Sequence, residues 1–281
     1  MAVAGYEVRI KEDGGAYGSP IDVGNNLNYQ FGGLDASTLY FAQVRSYDAA
    51  GNRSAWSSEV SATTDVPWTP ASIAGIEHWY RAADESYADN APVSIFTDRV
   101  GSAHLQASGS ARPTFKINGG DPYIEFDGVD DLLSLNPAWP ALTDCSICMV
   151  YEIVSDVAIY DRFLSSYTWE IMAPGTNSVS RFNSAGGAAL DVATPSRPTG
   201  FRAAFFERVG TASKYRYAGN EVAAADGTTA FHQGAAIGGA MFGGNYANIR
   251  VKELMACSSG LSGGEYSNLM SYLLTRYGIV L

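Results

Sequence analysis

Cysteine is nearly absent: three residues in 281 leave no disulfide framework. Cys145 and Cys148 form a Cys-x-x-Cys, but no second pair follows, and His78, His104 and His232 are scattered. Cys148 lies in Ser-Ile-Cys-Met-Val-Tyr, which reads as a strand, and residues three apart on a strand point to opposite faces. Neither a zinc site nor a redox pair is expected; both thiols read as small core hydrophobes. Basic residues are scarce as well, 18 Lys and Arg against 29 Asp and Glu, for a formal charge of -11. Phosphate backbones need basic clusters, so nucleic acid is excluded as a partner, and the same sign disfavours anionic membrane surfaces. No apolar run approaches the roughly 20 residues of a membrane-spanning helix, so no membrane insertion is expected. The opening Met-Ala-Val-Ala-Gly-Tyr-Glu lacks the basic start and apolar stretch of a secretory signal. The expectation is a chain used without classical export, or a piece of a longer one. No glycine-rich phosphate loop ending in Lys-Ser/Thr occurs, and no Ser-His-Asp set can be assembled.

What is present favours strands. Hydrophobic residues at 46% and charged residues at 17% describe a chain with a core, while 30 glycines and 17 tyrosines suit turns and strands. Tyr6-Glu-Val-Arg-Ile10 alternates, and a second strand is expected at Asn28 to Phe31 after a turn-rich stretch. Tyr40, Ala42 and Val44 alternate with Gln43 and Arg45; Asp48 to Asn52 reads as a hairpin turn, with Trp56 to Thr63 as the returning strand. The run from Gly33 to Ser57, with its Leu34 and Tyr40 spacing, resembles the second half of a fibronectin type III domain. The resemblance implies a tyrosine corner, in which the phenol bonds back to nearby backbone. Such a domain would have two more strands, about 25 to 30 residues, before the one holding Tyr6. Without them a sandwich shows an open edge and uncovered apolar side chains, so the expectation is either a fragment or a cover supplied by another chain or subunit. Asp65-Val-Pro-Trp-Thr-Pro70 is a short stiffened linker, which divides the chain into residues 1–64, 65–70 and 71–281.

In the larger part, Ile73 to Ala82 opens a series of short strand-like runs with turn signals between them, the pattern of a sandwich. The runs fall at Ser146–Val154, Ala158–Leu164, Thr168–Met172, Ser178–Phe182, Gly200–Glu207, Ser213–Ala218 and Glu221–Ala224, with closing strands near Ala236 and Asn248. Gly219-Asn220 is a hairpin signal. Pro122 to Leu135 alternates up to Asp127, breaks at Gly128 and restarts with Leu132, Leu133 and Leu135, which predicts a hairpin. Ser262-Gly-Gly-Glu265 has capping-box spacing ahead of a helix that carries Tyr266, Leu269, Met270, Leu273 and Tyr277 on one face and stops at Gly278. Phe126-Asp-Gly-Val-Asp-Asp-Leu-Leu133, the opening strand and this tail resemble laminin-G-like, concanavalin A-like lectin jelly rolls. The fold expected is therefore all-β: a partial fibronectin type III sandwich, then a jelly-roll sandwich with a C-terminal helix.

Chemistry is sparse. Glu125-Phe-Asp-Gly-Val-Asp130 resembles the Glu-x-Asp-x-x-Glu strand of laminarinase-type glycosidases, which need two carboxyls at a fixed short separation. Here the last residue has a shorter arm and Gly128 breaks the strand, so no enzyme is expected. Asp127, Asp130 and Asp131 cluster at a turn and offer oxygens of the kind calcium takes, although turn aspartates also serve local backbone needs. No cofactor is required. Sugar binding needs aromatic faces together with polar side chains. Tyr160, Arg162, Tyr167, Trp169, Arg181, Asn183 and Arg216 offer these and are the candidate carbohydrate-binding residues. The plain alternative is that Trp169, Tyr215 and Tyr217 alternate into the core and the arginines face solvent; Trp79 and Tyr80 read as core outright.

The pairing of the two domain types resembles phage tail and tail-fibre proteins. It implies a non-catalytic structural and receptor-binding protein of the virion, recognising a bacterial cell-surface glycan. Its partners would be other tail or virion subunits, in a homo-oligomer such as a trimer. The alternatives are a carbohydrate-binding accessory region of a secreted polysaccharide-degrading enzyme and a purely structural virion decoration.

Overall fold

Alternating apolar and polar residues become antiparallel strands along most of the chain in the computed structural model. It describes residues 2–65, 68–135, 144–155, 160–165, 169–174, 179–184, 190–193, 199–225, 236–240 and 244–279. Two units separate at Trp68 and Thr69, within the proline-rich stretch.

The first unit is one four-stranded sheet of β1 (Val3–Glu12), β2 (Ile21–Gly24), β3 (Leu39–Asp48) and β4 (Val60–Thr63), ordered β2-β1-β3-β4. Tyr40 makes the corner that its spacing implies: its hydroxyl accepts from the Asp35 amide at 3.0 Å and donates to Glu12 at 3.2 Å. The alternation at Asn28 to Phe31 predicts a strand there, but the second strand is Ile21–Gly24. A strand exists only with a ladder partner, and no described residue hydrogen-bonds the backbone of Leu27–Phe31.

In the second unit two sheets enclose one core. One sheet contains β6 (Ile95–Phe96), β7 (Leu105–Gln106), β10 (Leu133–Leu135), β12 (Tyr160–Ser165), β13 (Trp169–Pro174), β14 (Val179–Ser184), β15 (Leu190–Ala193) and β19 (Ala236–Ile237). Its order is β15-β14-β13-β12-β19-β10-β7-β6. The other contains β5 (Ile76–Arg81), β8 (Thr114–Asn118), β9 (Asp121–Asp127), β11 (Cys145–Ser155), β16 (Arg202–Val209), β17 (Ala212–Tyr217), β18 (Asn220–Ala225) and β20 (Asn248–Cys257). It runs β18-β17-β16-β11-β20-β9-β8, with β5 also on β20. Inward positions from both sheets, among them Phe126, Leu133, Tyr151, Leu164, Ile171, Phe206, Tyr215 and Leu254, form one buried cluster. Each such side chain contributes roughly 1.5–3 kcal/mol on burial. Cys145, Cys148 and Cys257 are buried free thiols.

The Pro122 to Leu135 stretch is not a hairpin. β9 pairs with β8 and β20, whereas β10 pairs with β7 and β19 in the opposite sheet. The turn through Gly128, at φ 78, carries the chain from one sheet to the other, across the about 10 Å that separates packed sheets. Phe126 thus enters the core from one side and Leu133 and Leu135 from the other. Between β17 and β18 the two left-handed residues are Ala218 (φ 50) and Gly219 (φ 81), so the turn sits one residue earlier than Gly219-Asn220. The helix α1 (Gly263–Tyr277) carries the predicted box: Ser262 accepts from the Glu265 amide, and Glu265 accepts from the Ser262 amide. Gly278 ends the helix in the left-handed region. Leu269 and Leu273 are buried, and Tyr266 meets Phe205 with ring centroids 5.5 Å apart. No described helix is long and apolar enough to cross a membrane.

Candidate functional site

Four adjacent strands, β12 to β15, bring most of the candidate sugar-binding positions onto one sheet. The register sets Arg162 opposite Met172, Met172 opposite Arg181, and Arg181 opposite Asp191. The alternate row, Leu164, Ile171 and Leu190, is buried in the core. The Arg162–Arg181–Asp191 row therefore lies on the outer face. Arg181 holds Asp191 through Nε at 2.5 Å and Nη2 at 2.7 Å, with the two side chains 29% and 42% exposed. A guanidinium locked by a two-point pair keeps a fixed orientation, so the pair sets a donor group beside an acceptor group on a partly exposed face. That is the set a pair of neighbouring sugar hydroxyls needs.

The other candidates divide. Positions 160 and 183 share the strand parity of Arg162 and Arg181. Position 169 shares that of Ile171, the core row. Tyr167 lies outside the described residues. Arg216 belongs to the opposite sheet, paired with Glu221 and stacked over the rings of Tyr266 at 4.6 Å and Phe205 at 5.4 Å. It joins α1 to the sheet and is no part of the row. Trp79, Tyr80, Tyr215 and Tyr217 are buried.

Asp127, Asp130 and Asp131 place one carboxylate oxygen each within 4.8 Å of one another. Ligand distances of about 2.3–2.6 Å to calcium are compatible with that spacing. The turn gives two of these carboxylates work of its own. Asp127 accepts from the Val129 amide at 2.7 Å, and Asp131 accepts from the Asp127 amide at 2.8 Å. Burial, with the Asp127 and Asp130 charges beside it, pushes the Asp131 carboxyl up to about 6. A Cβ at Gly238 would lie 2.2 Å from the Phe126 ring and 2.9 Å from the Asp131 carbonyl, so this glycine permits the close packing behind the turn.

Two features were not legible beforehand. Asp191, the partner of Arg181, sits on β15, a four-residue strand in an alanine- and glycine-rich stretch that carries little strand signal. Arg250 bridges Glu125 at 2.8 Å and Glu152 at 3.2 Å, and its guanidinium lies 5.3 Å from the Tyr123 ring centroid. Glu125 is thereby pinned between Arg250 and Lys116 (3.8 Å) on the outer face of β9, while Asp130 lies beyond the strand in the turn.

No family model matches the sequence, and no curated protein matches it significantly. Among solved structures, a Trypanosoma rangeli sialidase aligns at a TM-score of 0.44 and 10% identity, over 85% of this chain and 43% of that one. The same sialidase in complex with sialic acid gives 0.45 and 11%, over 92% and 47%. Domain 4 of AbnA, a GH43 extracellular arabinanase from Geobacillus stearothermophilus in complex with arabinotriose, gives 0.49 and 13%, over 70% and 98%. The chain spans less than half the length of the sialidases it aligns with. At these scores the likenesses carry no functional weight.

Proposed function

We propose that the chain is a non-catalytic glycan-binding protein, and that it serves as a structural and receptor-binding protein of a phage tail or tail fibre. The observation that carries the glycan reading is the Arg162–Arg181–Asp191 row, which lies on the outer face of a sheet buried on its other side. Supporting it are the acidic charge, which turns the chain away from nucleic acid, and the resemblance of Phe126 to Leu133 to lectin-like jelly rolls. The tail assignment rests on the pairing of that resemblance with the fibronectin-like run from Gly33 to Ser57. Rigid sheet positions suit a receptor site, because the side chains are oriented before the ligand arrives.

The test is binding of the 281-residue protein to bacterial cells and to a panel of surface polysaccharides, with and without a calcium chelator. Saturable binding competed by one free glycan is expected. Arg181→Ala should weaken it about tenfold or more, near 1.4 kcal/mol, at unchanged melting temperature. Binding that survives Arg181→Ala and Arg162→Ala would remove this row as the site. Absence of binding to every cell and glycan would leave virion decoration, and steady shortening of a polysaccharide would show an enzyme. Loss of binding on chelation would show a metal requirement, for which Asp127, Asp130 and Asp131 are the candidate ligands.

A further inference from the structure

The outer face of the other sheet carries a second row of polar side chains. Ile124, Phe126, Tyr151, Ile249 and Val251 belong to the core, so their neighbours Tyr123, Glu125, Glu152 and Arg250 point outward. The register sets Thr114 opposite Glu125, Glu125 opposite Arg250, and Arg250 opposite Glu152, a continuous row across β8, β9, β20 and β11. Arg250 is its centre. Its Nε donates to Glu125 Oε2 at 2.8 Å and its Nη1 to Glu152 Oε2 at 3.2 Å, which fixes the guanidinium between two carboxylates.

Some polar atoms of this row are left over. Arg250 Nη2 donates to no described residue. Glu125 Oε1 has only the Lys116 ammonium, at 3.8 Å, beyond hydrogen-bond reach. Tyr123 is only 8% exposed, its ring covered by Phe201 at 5.8 Å and by the Arg250 guanidinium at 5.3 Å. Its hydroxyl nevertheless bonds no described residue. Neither this hydroxyl nor Nη2 is sealed from solvent. Burial raises the phenol's pKa, and the charges acting on it are first Arg250, then Glu125, Glu152 and Asp89, which sets the hydroxyl beside the same side chains. Folding leaves few polar groups of so buried a residue without a partner.

Charge selects what would complete them. The row holds two cations, Lys116 and Arg250, and two carboxylates, Glu125 and Glu152. An anion would meet the carboxylates, and a cation the guanidinium and the ammonium. A neutral hydroxyl accepts from Tyr123 or Arg250 and donates to Glu125 without a like-charge contact. The row lies across the core from Arg162, Arg181 and Asp191, so one sugar residue cannot touch both.

We infer that Tyr123, Glu125 and Arg250 form a second saccharide subsite, selective for an uncharged, hydroxyl-rich sugar unit, so that each chain holds glycan on both faces of its sandwich. This rests on the glycan reading of the first row. NMR of the 281-residue protein with isotope-labelled tyrosine tests it, the Tyr123 signal being the one absent from Tyr123→Phe. The probes are glucose, galactose, mannose, rhamnose and N-acetylglucosamine, with glucuronate as the charged control. At least one neutral sugar should move the Tyr123 signal saturably in the millimolar range, as expected of so small a ligand, and glucuronate should not. Glu125→Ala should raise the midpoint of that titration about tenfold or more. No movement by any neutral sugar, equal movement by glucuronate, or a midpoint that Glu125→Ala leaves in place would overturn the inference. A silent Tyr123 signal beside polysaccharide binding that Arg181→Ala abolishes would sink this row and keep the first. A moving Tyr123 signal beside polysaccharide binding indifferent to Arg181→Ala and Arg162→Ala would do the reverse.

Discussion

Glu253 is fully buried on β20, where it accepts from the Trp79 indole at 2.5 Å and from the hydroxyls of Tyr272 at 2.9 Å and Tyr277 at 2.5 Å. One carboxylate thus ties the first strand of the sandwich to its last helix. Burial raises its pKa above the ordinary 4.5, against the lowering effect of those three donors. The sign follows from which state holds the proton. Above about pH 4.5 the unfolded chain releases a proton that the folded chain keeps, so this group's contribution to stability falls as pH rises, until the folded carboxyl ionises too. Glu253→Gln has no such group. Its melting temperature relative to wild type should therefore improve as pH rises above about 4.5; a constant difference would show that Glu253 is not the titrating group. Glu253→Ala removes the acceptor of the buried Trp79 indole and of two half-buried tyrosine hydroxyls and should cost about 3 kcal/mol in urea unfolding. None of this could be read from the sequence, because Trp79 lies 174 positions away. Tyr40, by contrast, was legible, since its partner Asp35 lies five residues off and the spacing itself encodes the contact.

At the scale of elements the same division by distance holds. The helix could be read from start to stop because its signals are local: Ser262 and Glu265 at one end, Gly278 at the other. Glu265 also accepts from the Ala74 amide at 2.7 Å, and its hydrogen bonds, led by the Ser262 hydroxyl, hold its carboxyl below the usual range. Ser262→Ala should cost about 1 kcal/mol and Ser262→Gly only a few tenths, measured as a shift in urea midpoint at unchanged slope. Equal losses for both would mean that the hydroxyl is not acting as the cap. The strands around Gly128 had equally clear boundaries, yet their pairing was misread. Alternation gives each strand its buried face and says nothing about which sheet it joins. The expected strand at Asn28 to Phe31 failed for a related reason. Its pattern is that of a strand, but a ladder needs a second chain segment, which no described residue supplies.

The two units differ in how much core they possess, and that difference should be measurable on the whole molecule. The second buries a continuous cluster drawn from both its sheets, from Tyr80 to Ala256. The first is one sheet with two buried apolar side chains among its described residues, held by cross-strand pairs such as Arg45–Glu7 and by arginines stacked on Trp56. Partly exposed ion pairs contribute about 0–1 kcal/mol each, so they cannot replace a missing layer. A packed domain of about 68 residues absorbs on the order of 45–50 kcal/mol on melting near 60 °C. Calorimetry of the 281-residue protein should therefore show a small early transition, well below that enthalpy, ahead of a large one. Amides of β1 to β4 should exchange at the first, and those of β11 and β20 only at the second. One transition carrying the whole enthalpy would mean that the first unit draws its stability from elsewhere in the chain.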